Sequence, residues 1–291
     1  MHYVIGDVHG CYDEMIALIN KIESEDSEAE FIFVGDFVDR GPQVDKVLDW
    51  CLANITKNGK YRSVRGNHEQ MILEWYELWL SWWKKFRHYP QVTMPESDYD
   101  FSKWMDALDK LTPDRMEPYM KFFDALPYNI KMNITTSSGV EQEYIIVHAS
   151  YSFNEVMMEQ QEHTNLWSRN YGGNKVNDTV IIHGHTPTLT NEYIFQTNDC
   201  NHPGMICYSK NDINVDGGCV FSNRFKNFPA YLCAICLENL QEKYAYTLEE
   251  RFRMKHEEKA MAEIYLHKYM EDYGSSESMY RKELLERLIG N

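Results

Sequence analysis

The stretch Phe31-Ile32-Phe33-Val34-Gly35-Asp36-Phe37-Val38-Asp39-Arg40-Gly41 decides the fold of this chain of 291 residues. It begins with consecutive apolar residues, which is the pattern of a buried strand. The run then breaks at Gly35 and continues into Asp36, Asp39 and Arg40. Open α/β sheets build their active sites at the carboxyl ends of strands. The stretch therefore predicts a buried strand that ends at a functional site.

Similar units before and after this strand predict a parallel sheet. A strand over Tyr3–Ile5 precedes a helix whose apolar residues recur at helical spacing, and a strand over Tyr61–Val64 follows a second helix. Strands and helices that alternate in this way imply parallel strands joined by right-handed crossovers.

The middle of the chain predicts a helical insertion at about residues 70–127. Its first helix carries a tryptophan-rich stripe: Met71, Trp75, Leu78, Trp79, Trp82 and Phe86. We expect this stripe to pack into the core, the alternative being an apolar wall over a substrate groove. A second helix is expected over Phe101–Leu108. A third begins at Thr112-Pro113, because threonine can cap a helix and proline suits its first position.

The remainder of the chain is rich in strands and ends in a charged tail. Strands over Asn129–Ile134 and Tyr144–Val147 flank a polar turn and predict a hairpin. Further strands are expected over residues 180–182, 213–218, 230–237 and 244–248. We divide the chain into a catalytic domain over residues 1–248 and a charged helical C-terminal tail over residues 249–291.

Charge and composition restrict the classes of partner. The chain has 29 Lys and Arg against 45 Asp and Glu, a formal net charge of −16. We expect no nucleic-acid partner, because binding to its backbone needs clustered cations. The start of the chain lacks the regions of a signal peptide, and no apolar run is long enough to cross a membrane. We therefore expect a cytoplasmic protein without membrane contact, and its oligomeric state stays open.

Metal-type ligands follow apolar runs at five predicted strand ends. They are Asp7 and His9, Asp36, Asn67 and His68, His148, and His185. Each fragment alone has an ordinary explanation, such as a turn at Asp7 or a helix cap at Asn67. Together, oxygen and nitrogen ligands without cysteine predict a site for Mn²⁺, Fe or Zn²⁺. One bridging carboxylate could hold two ions about 3.5–4 Å apart, and such a pair can clamp a phosphoryl group.

These blocks resemble the signature motifs of the calcineurin-like metallophosphoesterase superfamily, and in particular the PPP-type serine/threonine phosphoprotein phosphatases of bacteria and phages. The blocks are Gly6-Asp7-Val8-His9-Gly10, the stretch from Gly35 to Gly41, Arg65-Gly66-Asn67-His68-Glu69, His148-Ala149-Ser150 and Gly184-His185-Thr186-Pro187. The resemblance covers about residues 1–220. It implies an α/β four-layer sandwich: two mixed β-sheets flanked by helices, with a dimetal site at the C-terminal ends of strands.

The resemblance also implies a role for each matching position. The implied metal ligands are Asp7 and His9 for the first ion, Asp36 as the bridge, and Asn67, His148 and His185 for the second. His68 would be the general acid, oriented by Asp39. Arg40 would hold phosphate oxygens bidentately, and Asn67 would also face the substrate. Two divalent ions are implied, with Mn²⁺ expected and Fe or Zn²⁺ as alternatives.

Three further residues are assigned on shorter patterns. Leu166-Trp167-Ser168-Arg169 resembles a family segment whose arginine also binds phosphate, so Arg169 is expected to bind substrate unless it is an ordinary loop arginine. His183 is either an additional ligand or a residue that supports the site. Arg65 is expected to brace its loop through an ion pair.

The implied activity is hydrolysis of a phosphomonoester, with phosphoserine or phosphothreonine in a protein as the expected substrate. A metal-bridging hydroxide would attack phosphorus in line, while His68 protonates the leaving group. One alternative is a symmetrical dinucleoside-tetraphosphate (Ap4A) hydrolase, although such enzymes typically carry a small residue where Asp39 stands. The other is a catalytically dead module that binds phosphopeptides, against which the intact Asp39, Asn67 and His68 argue.

Overall fold

Two mixed β-sheets form the centre of the molecule. The computed structural model describes residues 1–89, 91–93, 112–154, 157–169, 178–189, 204–209, 211–222 and 230–245. Its strands are β1 (His2–Ile5), β2 (Glu30–Phe33), β3 (Tyr61–Ser63), β4 (Asn129–Thr135), β5 (Glu141–Val147), β6 (Val180–His183), β7 (Cys207–Ser209), β8 (Asp212–Asn214), β9 (Cys233–Cys236) and β10 (Glu242–Tyr244). Its helices are α1 (Tyr12–Glu25), α2 (Val44–Asn54), α3 (Asn67–Phe86), α4 (Pro113–Ala125) and α5 (Met158–Trp167).

Each sheet contains a parallel group of strands. The first sheet has the order β10-β9-β1-β2-β3 and the second has the order β4-β5-β6-β8-β7. Strands β1, β2 and β3 are parallel, as are β5, β6 and β8, and the other strands pair antiparallel at the edges. The two mixed sheets with flanking helices confirm the predicted fold class, and the predicted hairpin is the pair β4 and β5.

Alternation along the strands builds two hydrophobic cores. Successive side chains of a strand point to opposite faces, so a strand buried on both faces is apolar throughout. Val4 and Ile32 face the second sheet and pack with residues such as Ile146. Their neighbours Ile5 and Phe33 face the other way, toward the helices. This double burial explains why β1 and β2 are continuous apolar runs.

The tryptophan-rich stripe of α3 joins the helical core only in part. Met71, Trp75 and Trp79 are buried, and the rings of Trp75 and Trp79 stack with centroids 5.9 Å apart. Leu78 and Phe86, however, are 61 % and 39 % exposed, so their assignment to the buried stripe was wrong. Ile72, which follows Met71 in the chain and was not part of the predicted stripe, is also buried.

Some boundaries differ from the sequence predictions. The last described strand, β10, ends at Tyr244, where the prediction had a strand begin. Strand β7 and helix α5 were not predicted, since both are short and α5 has only two buried residues. The helix expected over 101–108 and the tail over 249–291 lie outside the described residues. Among the described residues, no helix has the length and apolar character needed to cross a membrane.

Candidate active site

The parallel strands of both sheets deliver polar side chains to one place. Asp7 follows β1, Asp36 follows β2, His148 follows β5 and His185 follows β6. The carboxyl ends of parallel strands lie at the same edge of a sheet, which is why these residues converge. We call the convergent residues the strand-end cluster: Asp7, His9, Asp36, Asn67, His68, His148 and His185. All seven are buried.

Asp36 lies at the centre of the strand-end cluster. Its Oδ2 lies 3.3 Å from Nε2 of His9 and 3.8 Å from Nε2 of His68. Its Oδ1 lies 3.5 Å from Nε2 of His148 and accepts a hydrogen bond from the amide of His68 at 3.0 Å. Burial alone would raise the pKa of Asp36, but the surrounding histidines, His148 first, and Arg40 outweigh it and lower that pKa. Asp36 is therefore an ionised carboxylate with partners on both sides.

A second focus lies around His148. Its Nδ1 lies 2.9 Å from the carbonyl oxygen of Val34, which can only accept, so this nitrogen carries the proton. The lone pair of Nε2 then faces Oδ1 of Asn67 at 2.7 Å and Nδ1 of His185 at 3.1 Å. Asp7 joins this focus, because its carboxylate accepts the backbone N–H of His185 at 3.1 Å.

Five non-glycine residues in or next to the strand-end cluster have the left-handed backbone conformation. Positive φ angles occur at His9 (42°), Asp36 (55°), Asp39 (67°), Arg40 (67°) and His185 (70°). Such a conformation costs a non-glycine residue roughly 1–3 kcal/mol and is typical of functional sites. Position 184 requires glycine because the backbone there passes close to a ligand. A Cβ at this position would lie 2.0 Å from Oδ1 of Asp7.

Glu69 holds the loop that carries Asp36. Its carboxylate accepts the backbone N–H groups of Asp36 at 2.8 Å, Phe37 at 2.8 Å and Gly66 at 2.9 Å. Glu69 is fully buried and lies in the first turn of α3, three residues after the N-cap Gly66. The helix begins at Asn67, so Asn67 is not its cap, and the Asn67 side chain is directed to the histidines instead.

His68 is paired with Asp39 and faces Arg40. Nδ1 of His68 donates to Oδ2 of Asp39 at 2.6 Å. A nitrogen of the Arg40 guanidinium lies 2.9 Å from Nε2 of His68, and another lies 2.6 Å from Nε2 of His9. Arg40 therefore spans the two histidines at the edge of the cluster. The other carboxylate oxygen of Asp39 is buried and has no hydrogen-bond partner.

The environment divides the histidines of the cluster into two kinds. Burial lowers the pKa of three of them, which are His9, His148 and His185, the last to about 2. Burial also acts to lower the pKa of His68, but the charge of Asp36 and the hydrogen bond to Asp39 outweigh it and raise that pKa. Neutral imidazoles bind metals, whereas a protonated imidazole can donate a proton.

Asp216 is a residue of the site that the sequence analysis missed. It is buried and hydrogen-bonds to Asp7, and burial raises the pKa of Asp216 to about 6. Burial and the charge of Asp216 also raise the pKa of Asp7. The signal was present in the sequence, because Asp216 follows the apolar residues of strand β8 and is next to Gly217, just as Asp7 and Asp36 follow apolar strands and are next to glycines.

Three residues assigned on shorter patterns have different outcomes. Nε2 of His183 lies 2.8 Å from Oδ1 of Asp212, a residue of the neighbouring strand β8. The exposed Arg169 lies near enough to His185 for its charge to lower the pKa of that ring. Arg65 forms the expected ion pair, with Asp124 at 3.4 Å.

The donor set of the strand-end cluster fits divalent metal ions. The cluster contains two groups of three residues in which the ligand atoms lie within 4.8 Å of one another. The first group is His9, Asp36 and His68, and the second is Asp7, Asp36 and His148. Asp36 belongs to both groups, as a bridging carboxylate must. At the second focus, Nε2 of His148 and Oδ1 of Asn67 are two acceptors only 2.7 Å apart, and a cation bound to both atoms would offset their repulsion. Carboxylate, amide and imidazole ligands suit Mn²⁺, Fe or Zn²⁺.

Comparison with known proteins shows a family that matches most of the chain. The family described as "Calcineurin-like phosphoesterase" matches residues 3–217, which include every residue of the strand-end cluster. Among solved structures, one described as a putative diadenosine tetraphosphatase superposes with a TM-score of 0.50. It is 16 % identical and covers 84 % of this chain and 91 % of its own, a likeness of fold alone.

Several curated proteins are similar over much of their length. The bis(5'-nucleosyl)-tetraphosphatase PrpE [asymmetrical] of Bacillus velezensis is 26 % identical over 77 % of this chain and 87 % of its own. The protein of the same name from Bacillus subtilis is 25 % identical over 77 % of this chain and 88 % of its own. A symmetrical bis(5'-nucleosyl)-tetraphosphatase of Escherichia coli is 28 % identical over 52 % of each chain.

Proposed function

Since the chain belongs to the calcineurin-like phosphoesterase family, we propose that its strand-end cluster is a two-metal centre that hydrolyses a bis(5'-nucleosyl) tetraphosphate. The observation that carries the substrate class is the similarity to the asymmetrical tetraphosphatases, which extends over about three quarters of this chain and nearly nine tenths of theirs (77 % and 87 % for one of them). The motifs had favoured a protein phosphatase, with a symmetrical dinucleoside-tetraphosphate hydrolase as the alternative, and the similarity now supports the tetraphosphate as substrate class.

Two aromatic rings beside the strand-end cluster support a nucleotide substrate. The Trp167 ring lies edge-on to that of His185, with centroids 6.5 Å apart, and the Phe221 ring lies 5.8 Å from Cζ of Arg40. Both rings are partly exposed. Bases stack on aromatic side chains, an interaction worth about 1–3 kcal/mol each in single-stranded nucleic-acid complexes.

Each residue of the site has a proposed role. Asp7, His9 and Asp36 would hold one ion, and Asp36, Asn67, His148 and His185 the other. Bound ions supply Lewis-acid polarisation of the phosphoryl oxygens and lower the pKa of the attacking water. Arg40 and Arg169 bind phosphate oxygens, Asp39 orients His68, and His68 donates its Nε2 proton to the leaving oxygen.

The negative net charge does not prevent this substrate from binding. At −16 the chain repels a polyanion from a distance. The Debye length at physiological salt is only about 8 Å, so the charges at the site itself decide the last part of the approach. Arg40 and Arg169 provide positive charge there, and two divalent ions would add more.

A second candidate, hydrolysis of phosphoserine or phosphothreonine in proteins, is favoured by one observation. Asp39 holds His68 at 2.6 Å, and a strongly oriented acid is most useful when the leaving group is a poor one such as an alkoxide. A phosphate leaving group of a tetraphosphate needs less help from an acid.

The two candidates are separated by direct competition of substrates. The Mn²⁺-loaded chain is given diadenosine tetraphosphate or a phosphoserine peptide, with Asp36→Asn as the inactive control. We expect kcat/KM for the dinucleotide to be higher by tenfold or more, about 1.4 kcal/mol in the barrier. Chromatography of the products then distinguishes AMP plus ATP, from asymmetrical cleavage, from ADP alone. Faster turnover of the phosphopeptide would exclude the proposed substrate and favour the protein phosphatase.

A further inference from the structure

Three donor atoms outside the strand-end cluster lie together at the start of helix α1. The Sγ atoms of Cys11 and Cys219 and a carboxylate oxygen of Glu14 are all within 4.8 Å of one another. Cys11 is the N-cap of α1 and Glu14 is its N3 residue, two positions whose side chains meet in the first helical turn. Cys219 begins the 3₁₀ turn Cys219–Phe221, which brings the second sulfur to them.

We propose that Cys11, Glu14 and Cys219 form a separate metal site that takes a soft divalent ion such as Zn²⁺ or Cd²⁺. Thiolates select such ions over Mn²⁺ and Mg²⁺. A Zn–S distance of about 2.3 Å places two tetrahedral sulfur ligands about 3.8 Å apart, so atoms already within 4.8 Å need to move little. Binding releases the thiol protons to solvent. Water takes the remaining position, as in zinc sites with three protein ligands.

The carboxylate distinguishes this group from ordinary core cysteines. Buried cysteine usually packs as a small hydrophobe, and Cys51 is such a residue, because it belongs to no group of three donors among the described residues. Cys11 and Cys219 are also buried, but Glu14 beside them is partly exposed. An ion can therefore enter from solvent past Glu14.

The site borders the strand-end cluster without sharing a ligand with it. Cys11 is two residues from His9, and the turn that begins at Cys219 carries the Phe221 ring, 5.8 Å from Cζ of Arg40. A bound ion would join the loop after His9 to that turn. The proposal does not depend on which phosphoester the chain hydrolyses.

Titration with Cd²⁺ tests the site. The reduced, full-length chain is first saturated with Mn²⁺ and then titrated with Cd²⁺ alone, while the ultraviolet thiolate-to-cadmium charge-transfer absorption is recorded. The strand-end cluster contains no sulfur ligand and is silent in this measurement. We expect Cys219→Ser to lack one equivalent of this absorption, and Cys51→Ala, the matched control, to keep all of it.

Glu14→Gln supplies a second test that does not depend on a buried substitution. It should retain the absorption but bind Cd²⁺ about tenfold more weakly or worse, since even outer-shell changes cost that much in metal affinity. The same absorption in Cys219→Ser and the unmodified chain would overturn the site, as would equal Cd²⁺ affinity in Glu14→Gln. Recovery of Cys11 and Cys219 as a disulfide-linked peptide from the Cd²⁺-treated sample would also overturn it.

Discussion

Replacing Asp39 with asparagine should weaken proton donation without removing metal. The substitution keeps the shape of the side chain but removes the charge that His68 contacts at 2.6 Å in a buried setting. A hydrogen bond with a charged partner is worth about 1.5–3 kcal/mol and a neutral one about 0.5–1.5 kcal/mol. The variant should therefore lose about 1–1.5 kcal/mol in the transition state, or roughly tenfold in kcat. His68→Asn, which removes the acid altogether, should lose roughly 10²–10⁴-fold.

The assay compares two leaving groups under the same conditions. Turnover of phenyl phosphate and of nitrophenyl phosphate is measured with Mn²⁺ for the unmodified chain and both variants. Nitrophenolate departs without a proton, so both losses should shrink on nitrophenyl phosphate. Manganese content serves as the control and should stay unchanged. Equal losses on the two substrates, or a fall in manganese that matches the fall in turnover, would refute the role of His68 as the acid.

Three other predictions concern the support of the site and of the fold. Glu69→Gln replaces one of the two accepting oxygens by an NH₂ group and so leaves at least one buried backbone N–H without an acceptor. It should lower the free energy of unfolding, measured by denaturant titration, by about 1–3 kcal/mol for each N–H group left unpaired. Gly184→Ala places a Cβ 2.0 Å from Oδ1 of Asp7 and should reduce bound manganese, as measured by elemental analysis. Burial would raise the pKa of Glu238, but hydrogen bonds from the ring and amide of His2 outweigh it and lower that pKa from 4.5 to about 2. Glu238 therefore stabilises the fold above pH 4.5 and loses this effect as the pH falls toward 2. Unfolding of Glu238→Gln measured across that window should lack this part of the acid sensitivity, and an identical pH dependence in both chains would count against it.

The strand ends were predictable because they depend on local patterns. An apolar run that is followed by a carboxylate or histidine, either directly or after one glycine, predicts both the strand and the residue at its end. Asp7, Asp36 and His148 were found in this way, and the fold then brings them to one edge. Asp216 follows the apolar residues of β8 in the same way, so it too was predictable from the sequence.

Other features depend on contacts between distant residues and could not be predicted. Nε2 of His183 contacts Asp212 because β6 and β8 are neighbours in the second sheet. The proximity of Trp167 to His185 likewise depends on where α5 packs. Asp36 has a φ of 55°, and its backbone N–H donates to Glu69, a residue 33 positions away whose placement depends on where α3 packs.

The substrate class illustrates the limit of what sequence motifs alone predict. Asp39 favoured a protein phosphatase in the sequence analysis, and the structure places it against His68 as such a role requires. Orientation of an acid is a property of the chemistry, however, and it does not identify what binds around it. The similarity to tetraphosphatases extends over most of the chain, and for this reason we propose their substrate class rather than the one that a single position favours.

The number of metal ions bound per chain is the most direct test of the proposal that the strand-end cluster is a two-metal centre. The chain is purified without chelator, equilibrated with Mn²⁺, freed of unbound ions and analysed for manganese per chain, beside Asp36→Asn. We expect two ions in the unmodified chain, as a bridged two-metal site requires, and fewer in Asp36→Asn together with a loss of phosphoesterase activity. One ion or none in the unmodified chain, or two ions and full activity in Asp36→Asn, would contradict this proposal.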